Sequence, residues 1–172
     1  GINANEDFVY HRFLIPHDSL PHIHWIQTAD IDLAAVGDWT PIGKNADTCF
    51  TGFYDGLGHK LMNLTLNGGT DRALFIHSKG DIKNIVIEDP HITGCGGSSA
   101  ALATNVQGGH IENCGVTYST QALSTSATQP LTFSGTDCAA LIGSVGSSTD
   151  PGDSIAIVGC FNSCAVTNTP GN

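Results

Sequence analysis

Apolar and polar positions alternate with a period of two over short stretches, and one such stretch recurs along the chain. Four segments align without gaps: Lys60-Leu61-Met62-Asn63-Leu64-Thr65-Leu66, Asp81-Ile82-Lys83-Asn84-Ile85-Val86-Ile87, His110-Ile111-Glu112-Asn113-Cys114-Gly115-Val116 and Cys160-Phe161-Asn162-Ser163-Cys164-Ala165-Val166. The alternation predicts strands, with Leu61, Leu64 and Leu66 turned inward and Asn63 at a bend where the facing side changes. The alignment gives three columns: Leu61, Ile82, Ile111 and Phe161; then Leu64, Ile85, Cys114 and Cys164; and a polar column of Asn63, Asn84, Asn113 and Ser163.

Further strands are expected at 73–76, 100–103 and 139–142, each followed by a glycine-containing turn, with a third set at 90–93 and 117–120. Three short strands per coil with tight corners describe a right-handed parallel β-helix, an all-β solenoid in which like residues stack about 4.8 Å apart. The polar column then becomes a structural ladder of stacked side chains, satisfying backbone groups that a corner leaves unpaired. The first 45 residues carry four of the eight histidines and only two short strand signals, around Trp25 and Ile31. An exposed solenoid end needs covering, so residues 1–45 are expected to form an irregular N-terminal cap and residues 46–172 the continuous repeat domain.

Composition sharpens the functional side of this picture. Only 13% of residues are charged and 21 are glycine, which suits turns and strands over amphipathic helices. The formal net charge is −10 and the six basic residues are scattered, so nucleic acid is not an expected partner. No apolar run reaches the roughly 20 residues of a membrane span, and membrane insertion is not expected. The start, Gly-Ile-Asn-Ala-Asn, has no signal-peptide pattern, which reads as a mature or trimmed terminus.

The six cysteines, Cys49, Cys95, Cys114, Cys138, Cys160 and Cys164, are an even number and many for a cytosolic domain of this size, and so are disulfide candidates in an oxidising, extracellular setting. The sequence does not choose among their pairings. Cys114 with Cys164 and the local pair Cys160 with Cys164 are both open, as is a role as buried thiols in the core.

The order Thr28-Ala29-Asp30-Ile31-Asp32-Leu33, Trp39-Thr40-Pro41-Ile42-Gly43, Phe50-Thr51-Gly52-Phe53-Tyr54-Asp55-Gly56-Leu57-Gly58-His59 resembles the run that opens GLUG-repeat proteins, and Leu61-Met62-Asn63-Leu64-Thr65-Leu66 continues it. The resemblance implies a β-helix-like scaffold of a bacterial secreted or cell-surface protein, adhesin-associated and non-catalytic. It departs at Ala73-Leu74-Phe75-Ile76, where the family has Gly-Leu-Phe-Gly, and in the Ser/Thr-rich insertion at 121–136.

For chemistry, His22 and His24 flank one residue and would share a strand face, so with His17 they form a candidate metal site. No cofactor is implied elsewhere. Polysaccharide-acting β-helix enzymes need paired carboxylates or an acidic calcium site, and Asp30, Asp32, Asp55, Asp71, Asp81 and Asp89 form no such set. The expectation is a non-enzymatic structural subunit that self-assembles end to end into a surface fibre, or serves as a stalk or adhesive repeat. A covalent version of the first, with a Lys amine linked to a carboxyl or amide of the same or the next subunit, rests on no residue pair that the sequence singles out. The alternatives are a carbohydrate-binding module, stacking sugars or a host ligand on Trp25, Trp39 or Tyr54, and a polysaccharide-acting β-helix enzyme.

Overall fold

Three-residue strands cannot stand alone, and in this chain each finds its partner about one winding away instead of next along the sequence. The computed structural model describes residues 24–119, 131–146 and 154–168. A first sheet contains β1 (His24–Ile26), β3 (Phe53–Asp55), β7 (Asp81–Lys83), β11 (Gly109–Glu112) and β15 (Ile155–Val158), in that spatial order. A second contains β2 (Ile31–Asp32), β4 (Lys60–Met62), β8 (Val86–Glu88), β12 (Gly115–Thr117) and β16 (Phe161–Asn162), likewise in chain order.

A third side is built from β5 (Thr65–Asn67) paired with β9 (His91–Thr93), and β13 (Leu131–Phe133) paired with β17 (Val166–Asn168). The two pairs are joined by a bridge between Cys95 and Phe133 and by the Gly94 N–H to the Thr132 carbonyl at 2.8 Å. The fourth contains β6 (Phe75–Ser78), β10 (Ala103–Val106) and β14 (Ile142–Val145). The protein is all-β, every strand pair is parallel, and the chain visits the four sheets in the same order on each pass.

The register fixes the repeat. Phe53 pairs with Asp81, 28 residues on, and Ile82 with Ile111, 29 residues on, whereas Ile111 to Ile157 spans 46 because residues are inserted into that winding. The windings therefore run over four sides, not the expected three, and the 21-residue interval between Asn63 and Asn84 is not a repeat. Leu61 pairs with Ile31 and Ile87 in the second sheet, while Ile82 pairs with Tyr54 and Ile111 in the first. Phe161 lies beside Gly115 in the second sheet. The four look-alike segments occupy two different sides because an alternating strand followed by a corner has the same pattern on either side.

Stacking of the middle residue of each strand builds the core. Tyr54, Ile82 and Ile111 form one interior column, Leu61, Ile87 and Val116 a second, and Leu66 with Ile92 a third, all of them buried. In β3, β4, β7 and β8 only the central residue is buried, as period two requires. Residues 24–45 of the segment expected to be a cap carry the first winding: β1 and β2 join the first two sheets, and bridges from Asp38 to Thr65 and Ile42 to Phe75 continue it. Residues 1–23 lie outside the described part. Among the described residues, no helix is long and apolar enough to cross a membrane.

Corners demand positive φ. Asn63, Asp71, Asn84, Asp89 and Asn113 take it, at 58°, 55°, 55°, 52° and 51°, in the left-handed region where Asn and Asp are the side chains best tolerated. Another corner stacks backbone on backbone: a Cβ on Gly80 would lie 2.2 Å from the Gly52 carbonyl oxygen, and one on Gly109 2.3 Å from that of Gly80.

Candidate functional site: inter-winding ladders and an exposed end

The expected polar column divides between two corners. Asn84 and Asn113 share one: the Asn113 amide donates to Asn84 Oδ1 at 3.2 Å, and Asn84 donates to Asp55 Oδ1 at 2.8 Å. Asn63 stands at the next corner, donates to Asp32 Oδ1 at 2.8 Å, and gives its N–H to the Glu88 carbonyl. Ser163 is not part of either amide stack, and its hydroxyl lies 2.7 Å from that of Thr117. All four residues do tie one winding to another, but as separate contacts.

The carboxylates do the same work. Asp30, Asp38, Asp71, Asp81 and Asp89 accept the backbone N–H of Lys60, Asn67, Ser98, His110 and Ser119, at 3.0, 2.9, 3.0, 2.8 and 2.7 Å. The partners are 27 to 30 residues away, so each carboxylate caps an amide of the next winding where the strand ladder is interrupted. The Lys60 N–H, aided by His59, holds Asp30 below the usual carboxylate range, and the Asn63 amide together with the Ala34 N–H does so for Asp32. Sequence reading found in Asp30, Asp71, Asp81 and Asp89 no catalytic or calcium-binding set and gave them no inter-winding role. Their inter-winding role becomes visible only once the 28- to 29-residue winding is known, since the partner then falls at a fixed offset.

Buried Gln27 was not singled out by the sequence. Its Nε2 donates to the carbonyls of Ala29 and Lys60, both at 2.8 Å, and its Oε1 accepts from the Tyr54 hydroxyl at 3.1 Å, plugging the first corner. Lys60–Glu88 and Lys83–Glu112 ion pairs, 2.7 and 3.0 Å, cross between neighbouring windings on the outside.

Of the metal candidates, His17 and His22 lie outside the described residues, and His24 stacks on Phe53 with ring centroids 5.0 Å apart. Among the described residues, no three His, Cys, Asp or Glu side chains gather as a metal site. Trp25 packs against the core, and Trp39 and Tyr54 are buried in it, which removes the latter two as exposed stacking platforms.

In this structure the six cysteines stand as free thiols. Cys49, Cys95, Cys114 and Cys164 are buried, and Cys138 and Cys160 are partly so. Burial pushes the Cys114 thiol up to about 12 and the Cys164 thiol to about 11. Cys164 does not share Cys114's column; it lies beyond β16, hydrogen-bonded to Tyr118.

The last strands of all four sides, β14, β15, β16 and β17, lie at one end, and among the described residues no strand pairs with their outer edges. Of seven large apolar side chains exposed among the described residues, five belong to those strands: Val145, Ile157, Val158, Phe161 and Val166. Apolar surface is therefore concentrated where backbone donors and acceptors also face outward. Such an edge is a template for another strand.

No family model matches the chain, and no solved structure matches it. A stretch of 81 residues, 45% of the chain, is 35% identical to Halomucin of Haloquadratum walsbyi (strain DSM 16790 / HBSQ001). The aligned part is 1% of that protein, so the chain is similar to a small patch of a very long polypeptide.

Proposed function

We propose that the protein is an extracellular structural subunit: a closed, right-handed, four-sided parallel β-helix that docks end to end with further copies to form a surface fibre. The observation that carries this reading is the end formed by β14 to β17, where four strand edges and five exposed apolar side chains coincide. Right-handed closure follows from the near-universal hand of parallel crossovers. A head-to-tail contact of this kind does not close on itself and so generates filaments. The dense inter-winding bonding of Asp, Asn and Lys–Glu pairs suits a rod that bears load along its axis.

The similarity to a patch of Halomucin favours a second reading, a stalk or spacer repeat within a longer surface protein, in which the exposed end receives the next winding of the same polypeptide. The likeness of residues 30–66 to the opening of GLUG-repeat proteins fits either. Both place the activity in presenting surface, with no reaction assigned.

Sedimentation and negative-stain microscopy across a concentration series separate them. The fibre reading expects end-to-end filaments that disappear in a Val158→Lys, Phe161→Lys variant, because two charges would have to be buried against the next copy. Uniform monomers at every concentration would rule out the fibre and leave the spacer.

A further inference from the structure

The register on both sides of the corner between the first and second sheets places two cysteines in one interior column. Glu112 pairs with Val158 in the first sheet, and Gly115 pairs with Phe161 in the second. Two residues separate the paired positions on each winding, 113–114 on one and 159–160 on the other, so Cys114 stands directly over Cys160. Neighbouring parallel strands hold such positions about 4.8 Å apart, inside the roughly 4.4–6.8 Å that a disulfide spans between Cα atoms.

The side chains are oriented alike. Cys114 Sγ lies 3.3 Å from the carbonyl of Glu112 and 3.4 Å from that of Ile82, and Cys160 Sγ lies 3.5 Å from Val158 and 3.7 Å from Ile111. Each sulfur thus sits near the carbonyl two residues before it and near the preceding winding's carbonyl one register position earlier, Ile82 for Cys114 and Ile111 for Cys160, one sulfur per winding in the same direction. From these positions we infer that Cys114 and Cys160, free thiols in this structure, become joined under oxidising conditions by a disulfide that staples the last winding, β15 to β17, to the one beneath it.

The chemistry balances by thiol–disulfide exchange with a small disulfide such as oxidised glutathione. The Cys160 thiolate attacks that disulfide, forming a mixed disulfide and releasing one small thiol. Cys114 then loses its proton and attacks the Cys160 sulfur, closing the protein bond and releasing the second small thiol. Two protein thiols are oxidised, one small disulfide is reduced, and the two released protons end on the two small thiols. Cys160 is the partly exposed member and meets the oxidant first. Cys114, fully buried with a suppressed thiolate, reacts as the last winding docks and not after it has closed. The bond would hold the winding whose strands, among the described residues, are paired on one side only, across the longest insertion in the described repeat.

The test is to refold the chain in a buffer of reduced and oxidised glutathione, block free thiols by alkylation, and map peptides without reduction. The expected product is a cross-linked peptide pair carrying residues 114 and 160. It is absent in Cys160→Ser, and on reduction the wild type exchanges the amides of β15 and β16 faster. Recovery of both cysteines as alkylated thiols, or a dominant link of Cys114 to Cys164, overturns the assignment. The wild-type map decides even where the serine variant fails to fold, and its outcome is independent of whether the chain forms filaments.

Discussion

Asn84 shows how one side chain serves both the conformation of a corner and the contact between windings. Its φ of 55° is a region that alanine enters only with strain, while its amide donates to Asp55 and accepts from Asn113. The two contributions separate by substitution. Asn84→Gly keeps the backbone at ease and removes both side-chain bonds, with an expected loss of about 1 kcal/mol. Asn84→Ala removes the bonds and adds the left-handed penalty, with an expected loss of about 2–3 kcal/mol. Equal losses in denaturant unfolding would show that the corner conformation is not strained in alanine, and the account of why asparagine stands there would fail. The sequence makes this residue conspicuous because asparagine repeats at corners. It hides which corner each one occupies, since Asn63 and Asn84 have nearly the same neighbours yet bond to Asp32 and Asp55 on different sides.

At the scale of the strand, stability resides in the interior columns and not in any strand by itself. Ile87 is fully buried, with Leu61 before it and Val116 after it in the second sheet. Ile87→Ala leaves a void touching both neighbours, and the expected cost is about 2–5 kcal/mol, read as a fall in the denaturant midpoint with the slope unchanged. A loss below about 1 kcal/mol would mean that the windings can close up around the gap and are not tightly packed. Strand positions of this kind were legible: period two marks Leu61, Ile82, Ile85, Ile87, Ile92 and Ile111 as interior, and they are buried. The number of sides was not legible. β6, β10 and β14 fall within a few residues of the strands expected at 73–76, 100–103 and 139–142, but the segments 60–66, 81–87 and 110–116, each read as one bent strand, hold two strands on adjacent sides: β4 and β5, β7 and β8, β11 and β12. The first winding was likewise obscured, because its third and fourth sides reduce to single bridges at Asp38, Ile42 and Phe50. The exposed end followed from no local pattern, since Val158 and Phe161 look like core residues until the strand beyond them is found to be missing among the described residues.

For the whole molecule, a stack in which each winding touches only its neighbours behaves as a one-dimensional array, and its stability is set by how many neighbours a winding has. β7 is held between β3 and β11, and β8 between β4 and β12, so opening either breaks pairing on both sides. Among the described residues β15 and β16 are paired on one side only, and Ile157, Val158 and Phe161 remain exposed there. Opening at that end forfeits one set of backbone bonds and little buried area, whereas opening in the middle forfeits two sets and the interior columns. Native-state hydrogen exchange should therefore be graded along the axis. Amides of β15 and β16 should exchange at low opening free energy, and those of β7, β8, β11 and β12 only near the free energy of global unfolding. Docking of another copy on the exposed end would give β15 and β16 the second neighbour they lack, so raising the protein concentration should slow their exchange while leaving the central windings unchanged. Uniform protection from β3 to β16, insensitive to concentration, would show a fully cooperative monomer whose last winding needs no partner, and both the graded stability and the docking of copies at that end would have to be abandoned.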